Sequence, residues 1–147
     1  MTCSALQAFE RAAEGDGWIV GWKLDSEQRR ELLLQFPPRY GEVVADHVTL
    51  VSRVGRDSAL PGATTGEIVG RADDGEGVEA LVVRIEGGTA RPGGGTFHIT
   101  WSLDGERDRK ARQSNEVLAR LGWTSLTLPM PVLLVPGIWP RTSAPRP

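Results

Sequence analysis

Two short stretches, His47-Val48-Thr49-Leu50 and His98-Ile99-Thr100-Trp101, constrain the fold more than any other part of the chain. Each alternates a polar with an apolar residue, the period of a strand with one packed face. Residues i and i+2 of a strand point the same way. His47 and Thr49 therefore share a face, with Val48 and Leu50 filling the other. His98 and Thr100 repeat the arrangement, with Ile99 and Trp101 behind them. The chain contains two histidines, and both fall in this setting. Should the two strands be neighbours, one cleft receives two imidazoles and two hydroxyls.

The remaining chain alternates strands and short helices with Gly and Pro punctuation. Leu6, Phe9 and Ala13 space a short helix that Gly15 stops. Trp18–Leu24 reads as a strand, in which Gly21 marks a bulge or a close backbone approach. Asp25 or Ser26 caps a helix to about residue 35, with Leu32, Leu33 and Phe36 on its apolar face and Arg29 and Arg30 toward solvent. Pro37-Pro38 ends it. Gly66–Ala72 and Val78–Ile85 form a hairpin around the acidic turn 73–77. That turn lacks the ordered oxygen ligands of a calcium loop. The glycine run after Arg91 is either a flexible hairpin loop or a backbone cradle for phosphate. It lacks the Lys-Ser/Thr ending of a P-loop. Ser114 is placed to cap a helix over 115–121, with Val117, Leu118 and Leu121 inward and Gly122 at its end. Pro129 and Pro131 interrupt final strand material around 126–135 and favour an edge strand or bulge. From about residue 136 the tail reads as irregular, with Trp139 either packing back or offering a contact. The expected fold is a single α+β domain over residues 1–147. Its concave, mostly antiparallel sheet has both longer helices packed behind it.

Composition narrows the function. A chain of 147 residues suffices for one domain with its own core. The net charge of -2 argues against a broad basic surface for nucleic acid, but leaves room for a local positive pocket on an RNA end or small substrate. Cys3 is the single cysteine, which fits a reducing compartment. No apolar run reads as a signal peptide or membrane span, so a cytoplasmic location with no membrane partner is expected.

The paired His-x-Thr motifs resemble those of the two-histidine phosphoesterase superfamily. The segment Trp22-Lys23-Leu24, the helix after it and Phe36-Pro37-Pro38-Arg39-Tyr40 are most similar to the cyclic phosphodiesterase domain of fungal tRNA ligases. Ser114-Asn115 after the second motif adds to that similarity. The resemblance implies the superfamily's fold and hydrolysis of a 2',3'-cyclic phosphate or related cyclic phosphodiester. It implies no metal and no cofactor. The partner would be a cyclic nucleotide or an RNA terminus bearing a cyclic phosphate, in RNA processing. It also leans toward His98 as base and His47 as acid.

The residue chemistry agrees. Ring opening by water needs a base for water's proton and an acid for the leaving ribose oxygen. Histidine fills either role near neutral pH. Thr49 and Thr100 are candidate donors to the non-bridging oxygens, where charge builds in the transition state. Four further residues have two readings each. Lys23 is a surface lysine or a cation at the pocket edge. Arg39 is a solvated loop residue or a phosphate contact. Tyr40, like Trp22, packs in the core or stacks on a base. Ser114 is a helix cap or shapes the site. Two other functions compete: a non-catalytic protein that binds an RNA end or nucleotide phosphate, and a metal hydrolase using both histidines with Asp46. No zinc-type spacing supports the last.

Overall fold

A computed structural model describes residues 3–141 as an α+β fold built on antiparallel strands. The elements are α1 (Ala5–Glu10), β1 (Trp18–Leu24), α2 (Ser26–Gln35), β2 (Glu42–Val43), β3 (His47–Val54), β4 (Thr65–Asp73), β5 (Val78–Arg84), β6 (His98–Leu103), α3 (Gln113–Leu121) and β7 (Thr124–Pro140). The sheet order is β2-β6-β3-β1-β7-β4-β5, and β5 also pairs with β6. That last pairing closes six strands into a barrel-like ring. The expected concave sheet is therefore a closed one. No helix among the described residues is long and apolar enough to cross a membrane.

Alternation along each strand places one set of side chains in the main core. Val20, Trp22 and Leu24 of β1 meet Val48 and Leu50 of β3, Ile99 and Trp101 of β6, and Leu81 and Val83 of β5. Each large indole keeps a polar contact: Trp22 Nε1 donates to the Ala63 carbonyl at 2.9 Å, and Trp101 Nε1 to the Phe36 carbonyl at 2.7 Å. Trp22 is fully buried, so it is a core residue and not a stacking platform. Gly21 is required by close approach, because a Cβ there would collide with the Val48 carbonyl of β3.

The helices differ from expectation in informative ways. The short α1 is fastened by a Ser4–Gln7 capping box and buries Ala5 and Ala8, leaving Leu6 exposed. Asp25 caps α2 by accepting from Gln28 N, and Leu32 and Phe36 enter the main core. Arg29 does not face open solvent. Its Nε donates to the Ala45 carbonyl at 2.7 Å and its Nη2 to the Val44 carbonyl. These carbonyls lie where the chain breaks between β2 and β3 and have lost a regular strand partner. The α3 helix starts at Gln113, so Ser114 is not its cap but a fully buried residue in its first turn. Val117 and Leu118 join a second cluster with Val69, Val78, Val82 and Leu103, while Leu121 is exposed. The two longer helices thus pack against different faces of the sheet, not together behind it.

The last strand is the largest departure. Instead of an irregular tail from 136, β7 continues to Pro140, pairing Pro136 with Trp22 and Pro140 with Trp18. Nor is it an edge strand: it lies between β1 and β4. Its residues 124–133 pair with β4, and residues 134–140 with β1. Each stretch therefore has one unpaired side, toward which a proline's missing N–H does no harm. The end of the expected tail, 142–147, lies outside the described residues.

Candidate active site

The two histidine motifs meet through one register pair. Val48 of β3 lies opposite Ile99 of β6, antiparallel, and both side chains are fully buried in the main core. Their flanking residues must point to the other face of the sheet. His47, Thr49, His98 and Thr100 therefore share one face. Extending the register by one residue each way sets Thr49 beside His98 and His47 beside Thr100. The two histidines are then diagonal cross-strand neighbours, their Cα atoms about 7–8 Å apart by strand geometry. They are close enough for the charge of His47 to act on His98.

A local irregularity builds the surroundings of His47. Ala45 has a left-handed φ of 43°, unusual for a residue with a Cβ. Its N–H, like that of Val44, still bonds to β6, at Thr100 O and Trp101 O. The bend breaks the alternation that would send Asp46 away from His47. Asp46 Oδ2 instead lies 3.0 Å from His47 Nδ1 and 2.6 Å from Lys23 Nζ. The bond from His47, then that from Lys23, holds the Asp46 carboxyl well below the usual carboxylate range. An ionised carboxylate only accepts, so His47 Nδ1 carries the proton of that contact and Nε2 is left for a ligand. Lys23 lies opposite His47 in the β1–β3 register. Its ammonium is partly exposed and paired with Asp46. Its ammonium sits 4.4 Å from the centre of the Trp139 ring, and that ring meets His47 edge-on at 5.1 Å. Trp139 thus contacts both Lys23 and His47.

His98 is in a drier place. It is buried, whereas His47 is only partly so. Its Nδ1 donates to the Thr96 carbonyl at 2.8 Å, which again leaves Nε2 as the open nitrogen. Burial, reinforced by the charges of Arg91 and His47, pushes the His98 pKa down to about 4. Thr100 beside it is buried under α3. Its hydroxyl lies 3.3 Å from the Ala111 carbonyl and 2.9 Å from Ser114 Oγ. With its proton on Ala111, it accepts from Ser114. Ser114 thus holds the Thr100 hydroxyl in place. Thr49 is partly exposed.

Arg39 and Tyr40 do not join this group. They sit at the far end of β6, where Tyr40 N donates to Ser102 Oγ and Arg39 N to the buried Glu79. Arg39 pairs with Asp73 at 3.1 Å, and the Tyr40 hydroxyl donates to the same carboxylate at 2.6 Å. Burial, then that hydrogen bond, pushes the Tyr40 phenol up to about 12, so it stays neutral. A cleft of about 420 Å³ lined by Arg39, Arg71, Asp73, Glu79 and Thr124 contains neither histidine. Among the described residues, no three of His, Cys, Asp and Glu converge as a metal-ligand set, so Asp46 does not complete one with the two histidines.

Asp46, Trp139 and Arg91 lie around the histidines. The sequence offered Asp46 only as a metal ligand, and Trp139 only as packing back or offering a contact from an irregular tail. Arg91 carried a usable signal: it is the one charged residue of the glycine-rich loop that leads into His98. No family model, curated protein or solved structure matches the chain.

Proposed function

We propose that the protein hydrolyses a 2',3'-cyclic phosphate, or a related cyclic phosphodiester, without metal, and that its barrel-like sheet is a two-histidine phosphoesterase-like fold. The observation behind this reading is the Val48–Ile99 pair, which puts both imidazoles and both threonines on one face. A cyclic nucleotide or an RNA terminus is the proposed substrate, in RNA processing.

In the proposed reaction His98 is the base. It is neutral at pH 7, with its Nε2 lone pair open, and so can take a proton but has none to give there. It removes a proton from water as the water oxygen bonds to phosphorus. On the opposite side the bond from phosphorus to one ribose oxygen breaks, and protonated His47 supplies that oxygen's proton from Nε2. Both histidines return to their starting states through solvent. Asp46 fixes the His47 ring through Nδ1, in the manner of a carboxylate that orients an imidazole. Thr49 donates to a non-bridging oxygen.

Purified protein in excess chelator is expected to open a nucleoside 2',3'-cyclic phosphate to a monophosphate. The assay is followed by phosphorus NMR across nucleoside cyclic phosphates, RNA ends and ADP-ribose cyclic phosphate. Saturable binding with no turnover of any of them would replace the enzyme with the non-catalytic phosphate-binding reading.

A further inference from the structure

Arg91 stands at the tip of the loop that leads into β6. Ala90 bridges Thr96, Arg91 N donates to the Gly95 carbonyl at 3.0 Å, and Gly94 N donates back to the Arg91 carbonyl at 3.0 Å. The loop is thus a closed turn. The side chain folds back over Gly95. A Cβ on Gly95 would lie 2.7 Å from Arg91 Nη2, and the residue's φ of +84° is itself in the left-handed region. Glycine is what lets the guanidinium take this path.

The partners of the guanidinium are neutral. Its Nε donates to the Gly94 carbonyl at 3.1 Å and its Nη2 to Asn115 Oδ1 at 2.8 Å. Arg39, Arg71, Arg84 and Arg109 each hold a carboxylate. Among the described residues Arg91 holds none. A partly buried cation without a counter-charge is costly unless an anion completes it. Its charge reaches His98, and Asn115, which holds it, follows the Ser114 that engages Thr100. The threonine hydroxyl on this side is occupied within the protein, whereas Arg91 retains N–H groups that no acceptor among the described residues takes.

Resting on the reading of the site as a cyclic phosphodiesterase, we infer that Arg91 grips a non-bridging oxygen of the bound phosphoryl group on the His98 side, in the role first assigned to Thr100. Lys23 on the opposite side is already paired with Asp46, so the site's positive pull comes mainly from Arg91. Arginine suits the task because its planar fork can give two parallel N–H donors to a phosphoryl group.

The test is a titration of inorganic phosphate into wild type, Arg91→Met and Arg91→Lys, read on the imidazole NMR signals, beside kcat/KM for a nucleoside 2',3'-cyclic phosphate. Arg91→Met is expected to weaken phosphate binding about tenfold and to lower kcat/KM about 10–100-fold. Arg91→Lys recovers part of the affinity because it keeps the charge and loses the fork. Arg53→Met, which removes an exposed arginine paired with Asp16, leaves both unchanged. Arg91→Gln replaces the methionine variant should that one not fold. Phosphate affinity at the wild-type value in Arg91→Met, or no phosphate response in wild type, overturns the assignment. Phosphate binding that depends on Arg91 in a protein that turns over no cyclic substrate upholds the assignment and removes the enzymatic reading instead.

Discussion

Replacing His98 with alanine is expected to slow turnover of a nucleoside 2',3'-cyclic phosphate about 10²–10⁴-fold, the usual worth of one positioned acid or base, and His47→Ala should cost a similar factor. Each would remove one end of the proposed proton relay across the phosphorus, and neither Lys23 nor Tyr40 is placed to stand in. Lys23 is held by Asp46, and Tyr40 is at the far end of β6. His98→Gln, which retains a polar side chain at the same place, should be as impaired as His98→Ala. Circular dichroism must show the variants folded. The pH dependence gives the base its signature. His98 has to be neutral to act, and its pKa is depressed to about 4, so kcat/KM should stay high down the acid side and fall only as pH drops through about 4. An acid limb near the ordinary histidine value of about 6.5 would point to a solvated base and not to His98.

The second large effect is on stability. Burial lowers the His98 pKa from 6.5 to about 4. Between those values the unfolded chain binds a proton at this position and the folded chain does not. Stability therefore rises with pH across the window, is fully present above 6.5, and is lost as pH falls toward 4. At 1.36 kcal/mol per unit, the loss attributable to His98 is about 3 kcal/mol. Denaturant melts at pH 7 and pH 4 should show that loss in wild type but not in His98→Gln, which has nothing to titrate there. Asp46 works below this window: its carboxyl is depressed in the folded state, so its contribution fades as pH falls below the ordinary carboxylate value of about 3.8. Equal acid sensitivity in wild type and His98→Gln would mean that the imidazole is not buried as a neutral ring.

Local periodicity explains what the sequence disclosed. Period-2 alternation identified β3 and β6 and placed Val48, Leu50, Ile99 and Trp101 in the core, because that sorting needs only i and i+2. The hairpin of β4 and β5 and the end of α2 followed from turn and cap chemistry in the same local way. Long-range pairings were not available from such signals. That Val48 lies opposite Ile99, and that β5 closes onto β6, depends on strands far apart in sequence. Asp46 reaches His47 because one left-handed residue, Ala45, breaks the strand alternation that would otherwise turn it to the other face. The end of β7 was read as an irregular tail because its prolines argue against a doubly paired strand, whereas β7 exchanges partners midway; Trp139 packs back, one of the two readings it was given. Arg39 and Tyr40 each had a reading at the site, as a phosphate contact and as a stacking platform. Hydrogen bonds to Ser102, Glu79 and Asp73 hold them at the other end of β6.

Two imidazoles flanking one anion is the claim on which the account depends, and the chain's two histidines make it directly measurable. Nitrogen-detected imidazole spectra should resolve one set of signals for each ring. A nucleoside monophosphate, the product of ring opening, is titrated into wild type at pH 7. Both rings should move along the same saturation curve, with the Nε2 resonances shifting most and the Nδ1 protons keeping their bonds to Asp46 and Thr96. A response from only one ring, or two curves with different midpoints, would contradict a shared site.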